Sequence, residues 1–355
     1  MANFTGTLRS NEIFAALYNM IISQEVFTDN IKGSDIVDKA RVDGGLYGDT
    51  KLFYSTDALK SAEWGNDAEA TNLLALHRPK APECQAIVLD VFRQISLTVD
   101  NYLSKRAWGD EGAFASFNSV MMGWLSDTKK VYDGTTYNAY LGTCEGASSK
   151  ADVEVALSDI TATGEEKNRL EAEMIAQAIA DLLVEMGDYT RDFNDYGQLR
   201  RYSEDDIKIV WNAKYVNKIT KVDLPTIFNK EGVVDKFAAE KLPARYFGAV
   251  NAASGTTEST NKTIRALVEK DYGDVHCFPG DLLPGGVSYE GNETYTQDDK
   301  VICKVFVKYP PYMSAFEVAT SFFNPKSLTE NHYLTFGHNT IEYLKAYPMI
   351  TVHAK

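Results

Sequence analysis

The chain has no Gly-x-Gly-x-x-Gly turn, no Walker loop and no Gly-x-Ser-x-Gly elbow. The readable signatures of dinucleotide, nucleoside-phosphate and serine-hydrolase chemistry are therefore missing. Cysteine is sparse: Cys84, Cys144, Cys277 and Cys303 are widely spaced, with no Cys-x-x-Cys pair. Neither a zinc site nor a disulfide framework is expected, and reduced, unpaired thiols suit a cytosol. No run of about 18 apolar residues occurs, so no membrane span and no membrane partner are expected. The opening residues, MANFTGTLRSNEIF, show no basic region leading into an apolar run, so an intracellular product is expected. Without a secretion signal, the Asn-x-Thr matches at Asn3, Asn261 and Asn292 are chance.

Positive charge is scarce as well. Lys and Arg number 36 against 50 Asp and Glu, a net charge of −14. The densest basic pairs are Lys105–Arg106, Lys129–Lys130 and Arg200–Arg201, and no longer basic block exists. A surface that gripped nucleic acid would need clusters of such residues to neutralise phosphates. The acidic balance suits a lining past which DNA slides without sticking, and equally an unrelated acidic soluble protein. The aromatics, 20 Tyr and 17 Phe, lack interleaved Lys and Arg, which favours core and interface packing over base stacking.

Of the five histidines, His332 and His338 lie six apart, a spacing that puts them on neither a tight strand face nor adjacent helix turns. His276 and Cys277 are neighbours, so in a strand they point to opposite faces and cannot form a nucleophile pair. The run Glu204–Asp205–Asp206 reads as a solvated loop. No catalytic residue, cofactor site or metal site is expected, and the chain is not read as an enzyme.

What is present is structural patterning. At 355 residues the chain can bury a substantial core in one or two domains. Ile87, Leu89, Val91 and then Ile95 or Leu97 alternate as one face of a long strand. After a break at Trp108–Gly109–Asp110 the period becomes helical, with Phe114, Phe117, Met121, Trp124, Leu125 and Val131 on one stripe. Ahead of the strand lie an amphipathic segment (Ile13, Leu17, Met20, Ile21), a strand-forming stretch at Leu52–Tyr54 and an irregular stretch from Ala58 to Glu83. A connection that long works on a neighbour or serves a function. Residues 165–187 read as a helix closed by Gly187. A strand at DIKIVWN, short helices over 213–219 and in DLPTIFNKEGVVDKFAAE, and a loop at Ala252–Thr260 follow. Strands at 275–278, 301–309, 313–321, 333–336 and 349–353 end the chain. The class is α+β, without regular alternation.

Two phrases, VFRQISLTVDNYLSKRAW and TRDFNDYG…DIKIVWNAKYVNKI, together with this order of elements, resemble the major capsid proteins of tailed bacteriophages. That is the Hong Kong 97-type fold, shared with encapsulins and herpesvirus floor domains, and the likeness is nearest to short-tailed and gut-phage members. The resemblance implies an N-terminal arm (1–43), an extended β-loop (44–99), a spine helix with peripheral domain (100–151, the helix at about 113–132), an axial domain (152–284) and a return to the peripheral domain (285–355). It implies a structural subunit of the virion head, made in the bacterial host cytoplasm. Such a subunit self-assembles into hexamers and pentamers around dsDNA held without sequence-specific binding. The short arm implies a separate scaffolding protein, or none, and a portal is implied as a further partner.

Trp64, Leu73, Leu74 and Leu76 are then candidate inter-subunit anchors. Phe114, Phe117, Met121 and Trp124 are expected to pack the spine helix against the body, with Ser116, Asp127, Lys129 and Lys130 exposed. Nothing marks Lys60 or Lys80 as cross-linking. The alternatives are an encapsulin-like nanocompartment shell, or an unrelated soluble enzyme or adhesin with no visible site.

Overall fold

The computed structural model of the protein describes residues 32–43, 50–61, 76, 78–100, 111–219, 240–251, 282–283, 287–288 and 294–355. In chain order the elements are α1 (Asp35–Ala40), β1 (Arg41–Asp43), β2 (Thr50–Ser55), β3 (Glu83–Asp100), α2 (Glu111–Thr143), β4 (Asp152–Val155), α3 (Glu165–Met186), β5 (Lys208–Asn212) and α4 (Ala213–Ile219). They continue as β6 (Glu240–Leu242), β7 (Gly248–Asn251), β8 (Leu282–Leu283), β9 (Val287–Ser288), β10 (Thr294–Gln297), β11 (Val301–Phe306), β12 (Tyr312–Asn324), β13 (Thr329–Asn339) and β14 (Met349–Ala354). Two five-stranded sheets, ordered β1-β12-β13-β3-β2 and β4-β14-β11-β5-β6, organise this α+β fold. The early amphipathic segment, the Trp108–Asp110 break, residues 223–239 and the strand expected at 275–278 lie outside the described residues. Among the described residues no helix is long and apolar enough to cross a membrane.

Alternation makes β3. Gln85, Ile87, Leu89 and Val91 are buried while the residues between them are exposed, and Ile95 and Leu97 continue the inner face against Leu125, Tyr132, Leu334 and Phe336. The sequence suggests a two-stranded loop built from 44–57 and this strand. In the structure β2 pairs only with Glu83–Val88, and Leu89–Asp100 pair antiparallel with β13 instead. The reason is length: β2 has 6 residues and β3 has 18. The remaining backbone groups of β3 need a ladder partner, and the β12–β13 hairpin supplies it. Gly337 faces Phe92 across that pairing, where a Cβ would stand 2.7 Å from the ring.

Helix α2 continues past Tyr132 to Thr143. Gly134, Thr135, Thr136 and Gly142 are poor helix formers, which hides this half from propensity. Burial overrides it: Tyr137, Ala139, Tyr140 and Leu141 pack with Val37, Leu242, Phe247, Phe306 and Met349. Buried on nearly every side, these turns carry no polar stripe. The Tyr137 hydroxyl donates to the Pro310 carbonyl at 2.8 Å. Gly142 lets the helix touch the Ala244–Tyr246 turn, since a Cβ would lie 2.1 Å from the Tyr246 carbonyl oxygen.

The middle of α2 departs from the expected stripe. Trp124 is 38% exposed, whereas Leu125 is buried and Lys129 is only 5% exposed. The inward line runs Leu125, Lys129, Tyr132–Asp133, Thr136, because a polar joint sets the rotation of the helix. Asp133 accepts from the Tyr312 hydroxyl at 2.6 Å and pairs with Lys129 at 3.1 Å and with Arg41 at 3.8 Å. Lys129 also reaches Glu317 at 3.5 Å and stands 5.5 Å over the Phe336 ring. Beside them His338 donates from Nδ1 to the Asn339 carbonyl at 2.8 Å, which leaves Nε2 to accept from the Tyr132 hydroxyl at 2.9 Å. Burial favours the neutral imidazole, and this pattern supplies partners for both of its nitrogens. Lys130 and Asp127 form a 2.9 Å pair at the surface side.

The second sheet centres on β11, buried at all six positions. It is antiparallel to β14 and β5, while β4 and β6 join as parallel edges. Helix α3 covers it with Ile175, Ile179, Leu182, Leu183 and Met186, and Gly187 closes the helix through its N–H to the Leu183 carbonyl. Lys304, buried in β11, donates to the Cys144 carbonyl at 2.7 Å and to Thr351 Oγ1 at 2.8 Å. A cation thus meets the C-terminal end of α2, the favourable end of the helix dipole.

Two outcomes follow from this packing. Tyr137→Ala is expected to cost about 3–5 kcal/mol, the range for emptying a large buried aromatic site, with Trp124→Ala costing clearly less; denaturant unfolding of the purified protein measures both. Burial holds the His338 pKa below its ordinary 6.5. The unfolded chain then takes up this proton before the folded one does, so the stability tied to neutral His338 is whole above about pH 6.5 and falls as pH drops through the folded value. Melting curves between pH 8 and 5 test this, and His338→Gln is expected to flatten the decline.

Candidate subunit-contact surfaces

The distal ribbon is the first surface. Beyond Ser314 the outer edge of β12 has no ladder partner among the described residues, since β1 covers only Tyr312–Ser314. From Glu317 to Phe323 every β12 residue is exposed, Phe322 at 62%. Neighbouring side chains alternate between faces, so Phe322 and Phe323 present aromatic surface on both sides of the ribbon. Val318 and Leu328 add to it. Register on the solvent face is held by polar cross-strand pairs, Thr98 to Asn331 at 2.7 Å and Gln94 to Thr335 at 3.0 Å. An open strand edge bearing aromatics on both faces suits pairing or packing with another chain.

The second surface begins where β2 ends. Ser55 Oγ accepts from Gln198 at 3.0 Å, and the Thr56 carbonyl accepts from Arg200 at 2.5 Å. Asp57 binds Arg191 at 2.6 Å through one carboxylate oxygen, while the other accepts the N–H groups of Leu199 at 2.9 Å and Ala58 at 2.8 Å. The Arg191 hydrogen bond, then the Leu199 N–H, hold this carboxyl well below the usual carboxylate range. The receiving turn, residues 190–200, is stapled by paired Thr190–Arg200 backbone bonds and by Asn194 bonding both backbone groups of Gln198. Gly197 supplies its positive φ of 60°. Phe193 anchors it in the α3 core. The turn 190–200 is thus a clamp on the chain where it leaves β2.

Of the residues singled out in the sequence, Trp64, Leu73 and Leu74 lie outside the described residues, and Leu76 is 82% exposed. Phe114, Phe117 and Met121 fall in the first turns of α2, where the backbone is helical and the side chains lie outside the description. Sequence reasoning missed the Lys129–Asp133 joint, although its i, i+4 opposite charges were visible. It also missed Asp57, whose partners come from more than 130 positions away, and the adjacent Phe322–Phe323 pair, which alternation could have flagged. Among the described residues no three His, Cys, Asp or Glu side chains converge as a metal set. Cys84, Cys144 and Cys303 are free thiols, with Cys303 pushed up by burial.

No protein-family model matches the chain, and no curated protein matches it. Solved structures do. The chain is similar to one in the capsid structure of Staphylococcus phage Andhra, with a TM-score of 0.64 and 11% identity over 93% of this chain and 86% of that one. It is also similar to a chain in the structure of head fiber and inner core protein gp22 of native bacteriophage P68, with a TM-score of 0.61 and 12% identity over 99% and 88%. At such identities the shared property is the fold, and the protein has a fold found in phage capsid structures.

Proposed function

We propose that this chain is a major capsid protein, a non-enzymatic subunit that self-assembles into the icosahedral head of a tailed phage. The observation that carries this reading is the fold likeness to a chain of the Andhra phage capsid over nearly the whole length of both. The distal ribbon supports it, because it exposes a strand edge and aromatics that a lone subunit leaves uncovered. Under this reading the fold is of the Hong Kong 97 type, with the arm at 1–43, the extended loop at 44–99, the spine helix and peripheral domain at 100–151, the axial domain at 152–284 and the return at 285–355. The subunit joins copies of itself in hexamers and pentamers, encloses dsDNA without reading its sequence, and works with a separate scaffolding protein and a portal in the virion head. The affinity to short-tailed and gut phages belongs to the same proposal.

Negative-stain microscopy of the purified protein tests the reading directly. Closed particles of uniform diameter are expected, and a strictly monomeric protein would overturn it. Particles isolated from producing cells that hold neither DNA nor a portal would mark a nanocompartment shell instead.

Deleting residues 58–82 is expected to leave a soluble, folded subunit that forms no shells, because Trp64, Leu73, Leu74 and Leu76 would anchor in a neighbour. Normal shells from that deletion would exclude the anchoring role. The charge makes a further demand. With a net charge of −14, copies packed side by side repel until salt screens them. Assembly yield should therefore vary with ionic strength, while the dissociated subunit should not shift free DNA in a gel at physiological salt. Micromolar or tighter DNA binding would contradict the proposed shell chemistry.

A further inference from the structure

We propose that the clamp around Asp57 fixes the direction in which the chain leaves β2 at Ala58, so that Asp57, Arg191, Gln198 and Arg200 are positioning residues for joining one subunit to the next. This deepens the shell reading above and rests on it.

Three consecutive residues, Ser55, Thr56 and Asp57, all bond to one turn, 190–200. Strand β2 by itself would fix only Ser55, the last residue of its ladder with β3. The dihedral angles of the next residues would then be free to swing everything beyond them. Asp57 removes that freedom from both sides, since one oxygen pins the Ala58 N–H just ahead and Leu199 across the gap. The turn is itself tied to the second sheet's side of the molecule. Its Asp192 carbonyl accepts from the Lys150 N–H at 3.2 Å, its Asp195 N–H donates to the Lys345 carbonyl at 3.0 Å, and just past it the Tyr202 N–H donates to Met186 at 2.9 Å. A strand of the first sheet is therefore aimed by a loop of the other.

A purely stabilising ion pair is the competing explanation. The Arg191 side chain is half exposed, and exposed pairs contribute little to stability. Stability alone gives no reason for three successive backbone positions to be held at a chain exit. Orientation does.

The test uses the full chain with Asp57→Ala and Asp57→Asn. Three quantities are read: melting of the unassembled subunit, the rate of tryptic cleavage after Lys60, and the yield and diameter of particles. Asp57→Ala is expected to melt within about 4 °C of the wild type. It should be cut several-fold faster after Lys60 and form several-fold fewer shells, or shells of scattered diameter. Asp57→Asn, which keeps an acceptor for Leu199, should fall between the two. Cleavage and shells equal to wild type would overturn the proposal. So would loss of folding in both variants, because the clamp would then belong to the fold. If the wild type itself makes no shells, the shell reading fails on its own, and unchanged cleavage after Lys60 would still refute the clamp.

Discussion

A buried carboxylate governs the arrangement. Asp133 is almost wholly enclosed, and its partners arrive from three places: Lys129 from its own helix, Tyr312 from β12 and Arg41 from β1. A buried charge stripped of one partner is costly, on the order of 3–5 kcal/mol. Helix α2 can therefore sit at only one rotation against the ribbon, the one that turns Asp133 inward. Trp124 goes outward for the same reason, although size alone would have put it inside. Around the joint, His338 and Asn339 fasten β13 to the helix and to the start of β12, where Asn339 accepts from the Met313 N–H at 2.7 Å.

The parts of the fold that were legible in the sequence are those with a strong period. The face Ile87–Leu89–Val91, helix α3 with Gly187 behind it, and the strand–helix junction at Asn212–Ala213 all appear where the pattern puts them. The second half of α2 did not show, because its glycines and threonines disfavour helix in isolation and only the surrounding aromatic core makes it form. Pairing did not show either. Periodicity says which face of β3 is buried and nothing about which distant segment lies beside it, and proximity in sequence pointed to β2 over β13. The clamp was hidden for a related reason: TRDFNDYG could be recognised as a turn, but its guest, Asp57, sits far upstream.

Two kinds of surface now stand beside each other. The core around β11 and the end of α2 is filled on every side, down to a lysine whose ammonium is satisfied inside the protein. The outer ribbon is the reverse, with aromatics on both faces and an edge unladdered among the described residues. Solvated monomers blunt such edges with charge, proline or a cover. In β12 the only charged residue is Glu317, near the joint, and Pro325 comes only after the strand has ended. The contrast is between a closed body and a margin whose edge and aromatics stay open to another chain.

The pairing of β3 with β13 also bears on how the chain comes to be folded. A ribosome delivers Glu83–Asp100 long before it delivers Thr329–Asn339, yet these two segments share one ladder. The central strand of the other sheet, β11, is late too, and β4 and β5 wait for it and for β14. Neither sheet can close until Thr329–Asn339 and Met349–Ala354 have been made, and contacts this remote make folding slow. Through that interval Ile87 and Leu89 lack Met313 and Leu344, which cover them in the finished fold, and the nascent chain is a natural client for chaperones.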